Sequence, residues 1–358
     1  MISENHVSVP SDPSQEDLTV KKNKTGRLLL TLFGLLCFGG LLYFGGFESF
    51  DKITHPDYLW LFTAIMGVGL MVFIFSARWG GIVNSLVGRR VTGNFTYFFY
   101  SLSSLAMGVV VPHTAGIIIG RVAALKKFEG VSWKKSGASV LLDKMFDGFF
   151  MVMFSWPLLF LVIGRATVVQ VVMISLVEFV IVTLLVVINY SFWIRMLQAI
   201  ILVAVKLVAL FPFLKKYSQM QNIEAVYNLK ELEVLQRRTV LRAYFLTAFG
   251  QIMLAVRAWL AAMAIGLDMI TPLDTFIGIG LVQASILISV TPSALGFADA
   301  AWFVVLAGAG VPKENISVFL VALRIIEYLA IFVCWLPLYL LKMWQGAPYS
   351  GSPKLDSV

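Results

Sequence analysis

Two charged pairs sit inside long apolar stretches: Lys144 with Asp147, and Arg324 with Glu327. At i,i+3 the members of each pair share one helix face. A charge at the centre of a membrane helix costs about 2.5–3.5 kcal/mol on insertion scales. Base before acid is the less favourable order for such a pair, and buried ion pairs seldom stabilise more than apolar packing would. Basic groups facing a wet cavity would instead bind an anionic head group and release it. The alternative is a structural role, with each pair neutralised within its own helix.

Other polar groups interrupt apolar sequence: Arg121, Glu178, Gln251, Arg257, Gln283 and Asp299. Arg121 and Arg257 suit phosphate, because a guanidinium matches it in bidentate geometry. Glu178 is expected either to pair with one of them or to carry a proton. Asp143 and Asp147, at i,i+4, invite a rival chemistry. Two carboxylates on one face could hold Mg²⁺ against a diphosphate, as in an intramembrane lipid-head-group transferase. Lys144 lies between them and no second acidic cluster follows. No G-x-S-x-G, H-E-x-x-H or P-loop occurs. Cys37 and Cys334 give no disulfide framework, and His6, His55 and His113 are scattered. Neither a metal nor a cofactor is expected.

The elements that carry these groups must be membrane helices. The 358 residues are 59% hydrophobic and 13% charged, against about 25% charged in a soluble domain. The expected class is all-α, a polytopic membrane protein of about eight transmembrane helices. Candidate spans are 28–47, 57–77, 93–111, 134–163, 167–190, 192–213, 240–266, 271–291 and 314–342, with 192–213 the weakest. Residues 1–24 read as a disordered polar tail, 214–239 as a polar connecting helix and 344–358 as a C-terminal tail. The formal charge of +8 is spread over short connections, which points to topology and lipid head groups and not to nucleic acid.

The charged pairs also belong to an internal repeat, with copies at about 93–163 and 271–342. Pro112 matches Pro292, Gly116 matches Gly296, Gly130-Val131 matches Gly310-Val311, Lys144 matches Arg324 and Asp147 matches Glu327, with no gap. The segments 112–129 and 292–309 are too short for ordinary spans. They are expected to be re-entrant, with Pro112, Gly116, Gly130, Pro292, Gly296 and Gly310 as hinges. Irregular backbone at that depth is tolerated only beside protein or a wet cavity. If 192–213 crosses the membrane, the two copies are inverted. The cluster Lys126, Lys127, Lys134 and Lys135 then falls on the opposite side from Arg237, Arg238 and Arg242, against the positive-inside rule.

These motifs resemble the flippase-like membrane domain of the lysylphosphatidylglycerol synthase family, over residues 25–343. Pro112…Gly116…Arg121…Gly130-Val131 and Pro292-Ser-Ala-Leu-Gly296-Phe-Ala-Asp299 carry the resemblance. The sequence departs from the family at Ile117–Ile119, where an acid is usual. The resemblance implies lipid translocation between leaflets, without the soluble aminoacyl-transferase domain of the full synthases. Its substrate would be an anionic phospholipid or a polyprenyl-phosphate-linked glycolipid. The expected location is the cytoplasmic (inner) membrane, and the partners that the resemblance implies include a glycosyltransferase or lipid synthase. On this reading the chain is not an enzyme, and Lys144, Arg324, Asp147, Glu327, Arg121, Arg257, Asp299 and Glu178 bind the head group. A transferase, or a scaffold for a glycosyltransferase, is the alternative.

Overall fold

The computed structural model describes residues 31–43, 51–162, 167–188 and 236–344. Both expected tails, the span 192–213 and nearly all of the connecting helix 214–239 lie outside them. The described residues form eleven helices: α1 (Thr31–Tyr43), α2 (Asp51–Thr54), α3 (Tyr58–Val87), α4 (Asn94–Val110), α5 (His113–Glu129), α6 (Trp133–Val162), α7 (Val168–Ile188), α8 (Arg237–Ala264), α9 (Pro272–Ile288), α10 (Phe297–Gly308) and α11 (Lys313–Trp344). Long apolar runs favour helix because a helix satisfies its own backbone where water is absent. Four helices are long and apolar enough to cross a membrane: α3, most of α7, α8 and most of α11. The 30-residue α6 is as long, with Asp143, Lys144 and Asp147 at its middle.

The central pair is α3 with α8, packed antiparallel along their length. At one end the Asp57 N–H donates to the Ala264 carbonyl at 2.9 Å. At the other, Asn84 and Gly88 of α3 line one pocket with Arg237 and Arg238 of α8. These are called the Asp57 end and the arginine end below.

From the arginine end α4 runs inward, and α5 runs back to the same end. Their arms touch closely. A Cβ on Gly116 would lie 2.6 Å from the Gly108 Cα, so only glycine allows this approach. At the base of the hairpin the Tyr100 hydroxyl donates to Glu129 at 2.7 Å. The 93–111 segment is therefore one arm of a helical hairpin with α5. α4 and α5 have 17 residues each, about 25 Å, short of the ~30 Å hydrocarbon core. Lys126 and Lys127, in the last turn of α5, return to the arginine end of the molecule.

α6 then runs to the Asp57 end, where Phe154 packs on Phe276 of α9. α7 returns, and Arg237 donates to its Val187 carbonyl at 2.6 Å. α8 leads back to the Asp57 end. There α9 and α10 form a second hairpin, closed by Gly278 against Trp302. Hence 271–291 is also a hairpin arm. α11 starts beside it, with Asn315 donating to Met269 at 3.3 Å, and ends near the arginine end, where Trp335 donates to Ser103 at 3.0 Å. Gly130 and Gly310 turn the two hairpins into α6 and α11 at φ +66° and +85°, a region open to glycine. The next N–H bonds back each time, Val131 to Leu125 at 3.2 Å and Val311 to Leu306 at 3.0 Å.

The two hairpin tips meet. Pro112 and Pro292 form an isolated antiparallel bridge. The main core, built from α3, α8, α10 and α11, packs around this junction.

Candidate functional site

Beside the junction lies a cavity of about 120 Å³, lined by Arg78, Arg121, Asp143, Lys144, Asp147, Arg257, Gln283, Glu327 and His113 among others. At ~30 Å³ per liquid water, that is room for about four waters or one phosphate group. Leu287, also in the wall, is 44% exposed, so the mouth opens onto apolar surface.

In the first half of the site, Arg78 of α3 is the hub. Its Nε donates to Asp143 at 2.7 Å and its Nη1 to Asp147 at 2.6 Å and to Thr247 Oγ1 at 2.9 Å. Phe75 covers its guanidinium face, and its side chain is 1% exposed. Arg121, from α5, takes the other Asp143 oxygen at 2.6 Å and stacks on Trp79. Lys144 donates to the second Asp147 oxygen at 3.0 Å and keeps 25% of its side chain exposed. Three cations thus meet two carboxylates, leaving one positive charge in excess.

The i,i+3 pairing expected in each helix forms for Lys144–Asp147 but not for Arg324–Glu327. Arg324 instead grips Asp299 through Nε at 3.1 Å and Nη2 at 3.0 Å, and its Nη1 donates to the Ser293 carbonyl at 2.7 Å. Asp299 also caps α10, accepting from the Gly296 N–H at 2.8 Å. Both side chains are thereby committed to the tip of the second hairpin, where Ser293 and Ala294 hold φ near +53° and +52°. Glu327 pairs with Arg257 of α8 at 3.5 Å. Nε and Nη1 of this buried arginine have no hydrogen-bond partner, nor has the enclosed Nδ1 of His113.

Five of the eight residues expected to bind the head group therefore line the cavity beside the junction, and Arg324 and Asp299 brace its edge. Glu178 is elsewhere. It accepts from Trp156 Nε1 at 2.6 Å and pairs with neither arginine, because α7 packs on the outer side of α6. Gln283 lines the cavity. Gln251 is buried without a partner for its amide and is not among the lining residues. Both oxygens of Asp143 and of Asp147 accept from cationic side chains, so neither faces the cavity as a free ligand for Mg²⁺.

Sequence reasoning missed Arg78. The apolar run expected to end at residue 77 is followed by Arg-Trp-Gly-Gly, which reads as the polar flank of a span. In the structure α3 continues to Val87 and draws Arg78 inside. The signal was available in the repeat: carried back through α3, the match to Lys144/Arg324 sets Arg78 almost level with Arg257.

No curated protein and no solved structure matches the chain. A family model does, over residues 28–334, and it describes the lysylphosphatidylglycerol synthase TM region. With most of its length inside that match, and with the apolar helices described above, the chain is a membrane protein of the lysylphosphatidylglycerol synthase TM-region family.

Proposed function

We propose that this protein is a lipid flippase or flippase-like transporter of the cytoplasmic membrane. It moves an anionic phospholipid or a polyprenyl-phosphate-linked glycolipid between leaflets, and it is not an enzyme. The observation that carries this reading is the half-open cavity, whose wall holds one cation more than the first half's carboxylates require.

The ion pairs suit reversible binding. Asp147 is held by Arg78 as well as by Lys144. When Lys144 turns to a phosphate, Asp147 keeps a partner, and no buried acid is left uncompensated. Arg257 is only loosely paired and retains unused donors. The head group enters between these two, while the tails stay on the apolar surface beyond Leu287.

The hairpins α4–α5 and α9–α10 are read as re-entrant segments, and α3–α6 with α8–α11 as an inverted repeat. Each unit runs long helix, hairpin, long helix, from opposite ends. Arg78–Asp147 then corresponds to Arg257–Glu327. Two such halves can rock about a fixed junction and expose the cavity to either leaflet in turn. Transport is passive, or coupled to an ion gradient or to consumption of the lipid.

The test is a leaflet-resolved fluorescent-lipid assay in liposomes, comparing wild type, Lys144→Ala and protein-free vesicles without nucleotide or metal. An anionic lipid should move fastest with wild type. Equal rates in all three would remove the reading and leave a scaffold. A Mg²⁺-dependent change in lipid mass would promote the transferase.

A further inference from the structure

A second pocket, of about 1210 Å³, opens at the arginine end of the α3–α8 pair, away from the central cavity. It is lined by Arg89 and Arg90 after α3 and by Arg237, Arg238 and Arg242 of α8, and among the described residues no acid lines it. Like charges at this density repel unless an anion sits among them. Arg237 is partly engaged, donating to the Val187 carbonyl. The other four are exposed.

The helix end adds to the excess. The cap residue Gln236 makes no side-chain hydrogen bond to the first turn of α8, and that turn contains no acid. A helix N-terminus carries about half a positive charge, which disfavours arginine there and favours an anion. Ser85 Oγ, on a residue that also lines this pocket, is enclosed without a partner.

The mounting is firm. Asn84 Oδ1 accepts from the Val91 N–H at 2.8 Å and from the Tyr97 hydroxyl at 3.0 Å, and the Gly88 N–H bonds to the Asn84 carbonyl at 3.0 Å. The loop that carries Arg89 and Arg90 is thus pinned to the end of α3.

Depth and polarity choose the occupant. α3 has 30 residues, about 45 Å, which matches the bilayer including its head-group layers. Its end therefore lies at phosphate depth. Below the arginines the wall is apolar, with Leu241 and Phe245, and Phe245 is 49% exposed. A free phosphate would use the arginines alone, whereas a lipid uses both parts.

We propose that this pocket binds the phosphate of an anionic membrane lipid, which clamps the end of α3 to the start of α8. None of its residues belongs to the transport cavity, so the proposal stands or falls separately from the flippase reading.

The test is native mass spectrometry of the full-length protein with phosphatidylglycerol, paired with thermal unfolding. Wild type and Lys144→Ala should each retain the lipid at this site. The Arg89→Gln/Arg90→Gln/Arg238→Gln/Arg242→Gln variant should bind it at least about tenfold more weakly and lose the lipid-induced rise in unfolding temperature. Lysine at the same four positions keeps the charge and should keep most of the binding, which guards against misfolding of the glutamine variant. Equal phosphatidylglycerol binding by wild type and the glutamine variant would overturn the proposal. So would equal binding of phosphatidylcholine, or equal protection of wild type by inorganic phosphate alone.

Discussion

Pro112 and Pro292 face each other across the centre of the molecule in a two-residue antiparallel bridge. The His113 N–H donates to the Thr291 carbonyl at 3.3 Å and the Ser293 N–H to the Gly108 carbonyl at 2.8 Å. Proline cannot donate, so each tip lends the N–H of the following residue to the other tip. The two hairpins therefore share their inner backbone polar groups, where water would otherwise be needed.

That bridge can be locked. Cα atoms of directly opposed antiparallel residues are about 4.5–5.5 Å apart, within the range for a disulfide. Pro112→Cys with Pro292→Cys, on a Cys37/Cys334-free background, should crosslink on mild oxidation, shown by mass spectrometry. If the halves rock about this junction, transport should survive in the oxidised protein, because the tips stay together. If the tips separate in the cycle, oxidation should stop transport and reduction restore it. Failure to crosslink would contradict the bridge itself.

Arg78 should matter more to stability than Lys144 does. Replacing Arg78 with Ala leaves Asp143 and Asp147 under-compensated in the interior, and breaking one side of a buried pair costs about 3–5 kcal/mol. Lysine should not rescue it, since one ammonium cannot span two acids and Thr247 in the guanidinium geometry. Lys144→Ala removes a partly exposed group and leaves Arg78 on Asp147, so it should unfold near the wild-type temperature while losing activity. Thermal unfolding of the purified proteins decides this, and equal losses for both variants would remove the distinction between anchor and exchangeable cation.

The prolines that meet at the tips, the turns at Gly130 and Gly310 and the charges inside apolar helices were legible in the sequence, because proline, glycine and buried charge are local signals. It did not reveal partners. Arg324 and Glu327 looked paired at i,i+3, yet their ligands Asp299 and Arg257 come from other helices. Likewise 93–111 and 271–291 read as separate apolar helices, and their pairing with α5 and α10 was not legible. Hydropathy does not show which helices pair, and it is the contact of Gly116 with Gly108 and of Gly278 with Trp302 that closes each hairpin. Asp143 was read beside Asp147 as a metal candidate, because both share a face. Which cations fill that face depended on α3 and α5.

The hairpin reading has a topological consequence. Single cysteines at Arg89 and Lys127 should label from one side of the membrane, and those at His55 and Glu314 from the other. Impermeant thiol labelling of sealed, oriented vesicles measures this. Labelling of Arg89→Cys and Lys127→Cys from opposite sides would make α4 a full crossing and undo the inverted arrangement.

Arg324 and Lys144 occupy matching positions in the sequence, and the structure gives them different work. Every polar arm of Arg324 is bound to the second tip, and the residues it holds, Ser293 and Ala294, sit at positive φ. Such backbone costs about 1–3 kcal/mol per residue and persists only when its surroundings enforce it. Arg324→Leu should therefore lower the unfolding temperature and transport together. Adding Asp299→Leu removes the orphaned acid but restores neither the carbonyl contacts nor the Gly296 cap, so stability should recover only in part. Lys144→Ala should instead separate the two readouts. An Arg324→Leu protein that unfolds like wild type but transports nothing would place the guanidinium on the substrate, and the two halves of the site would then do the same job.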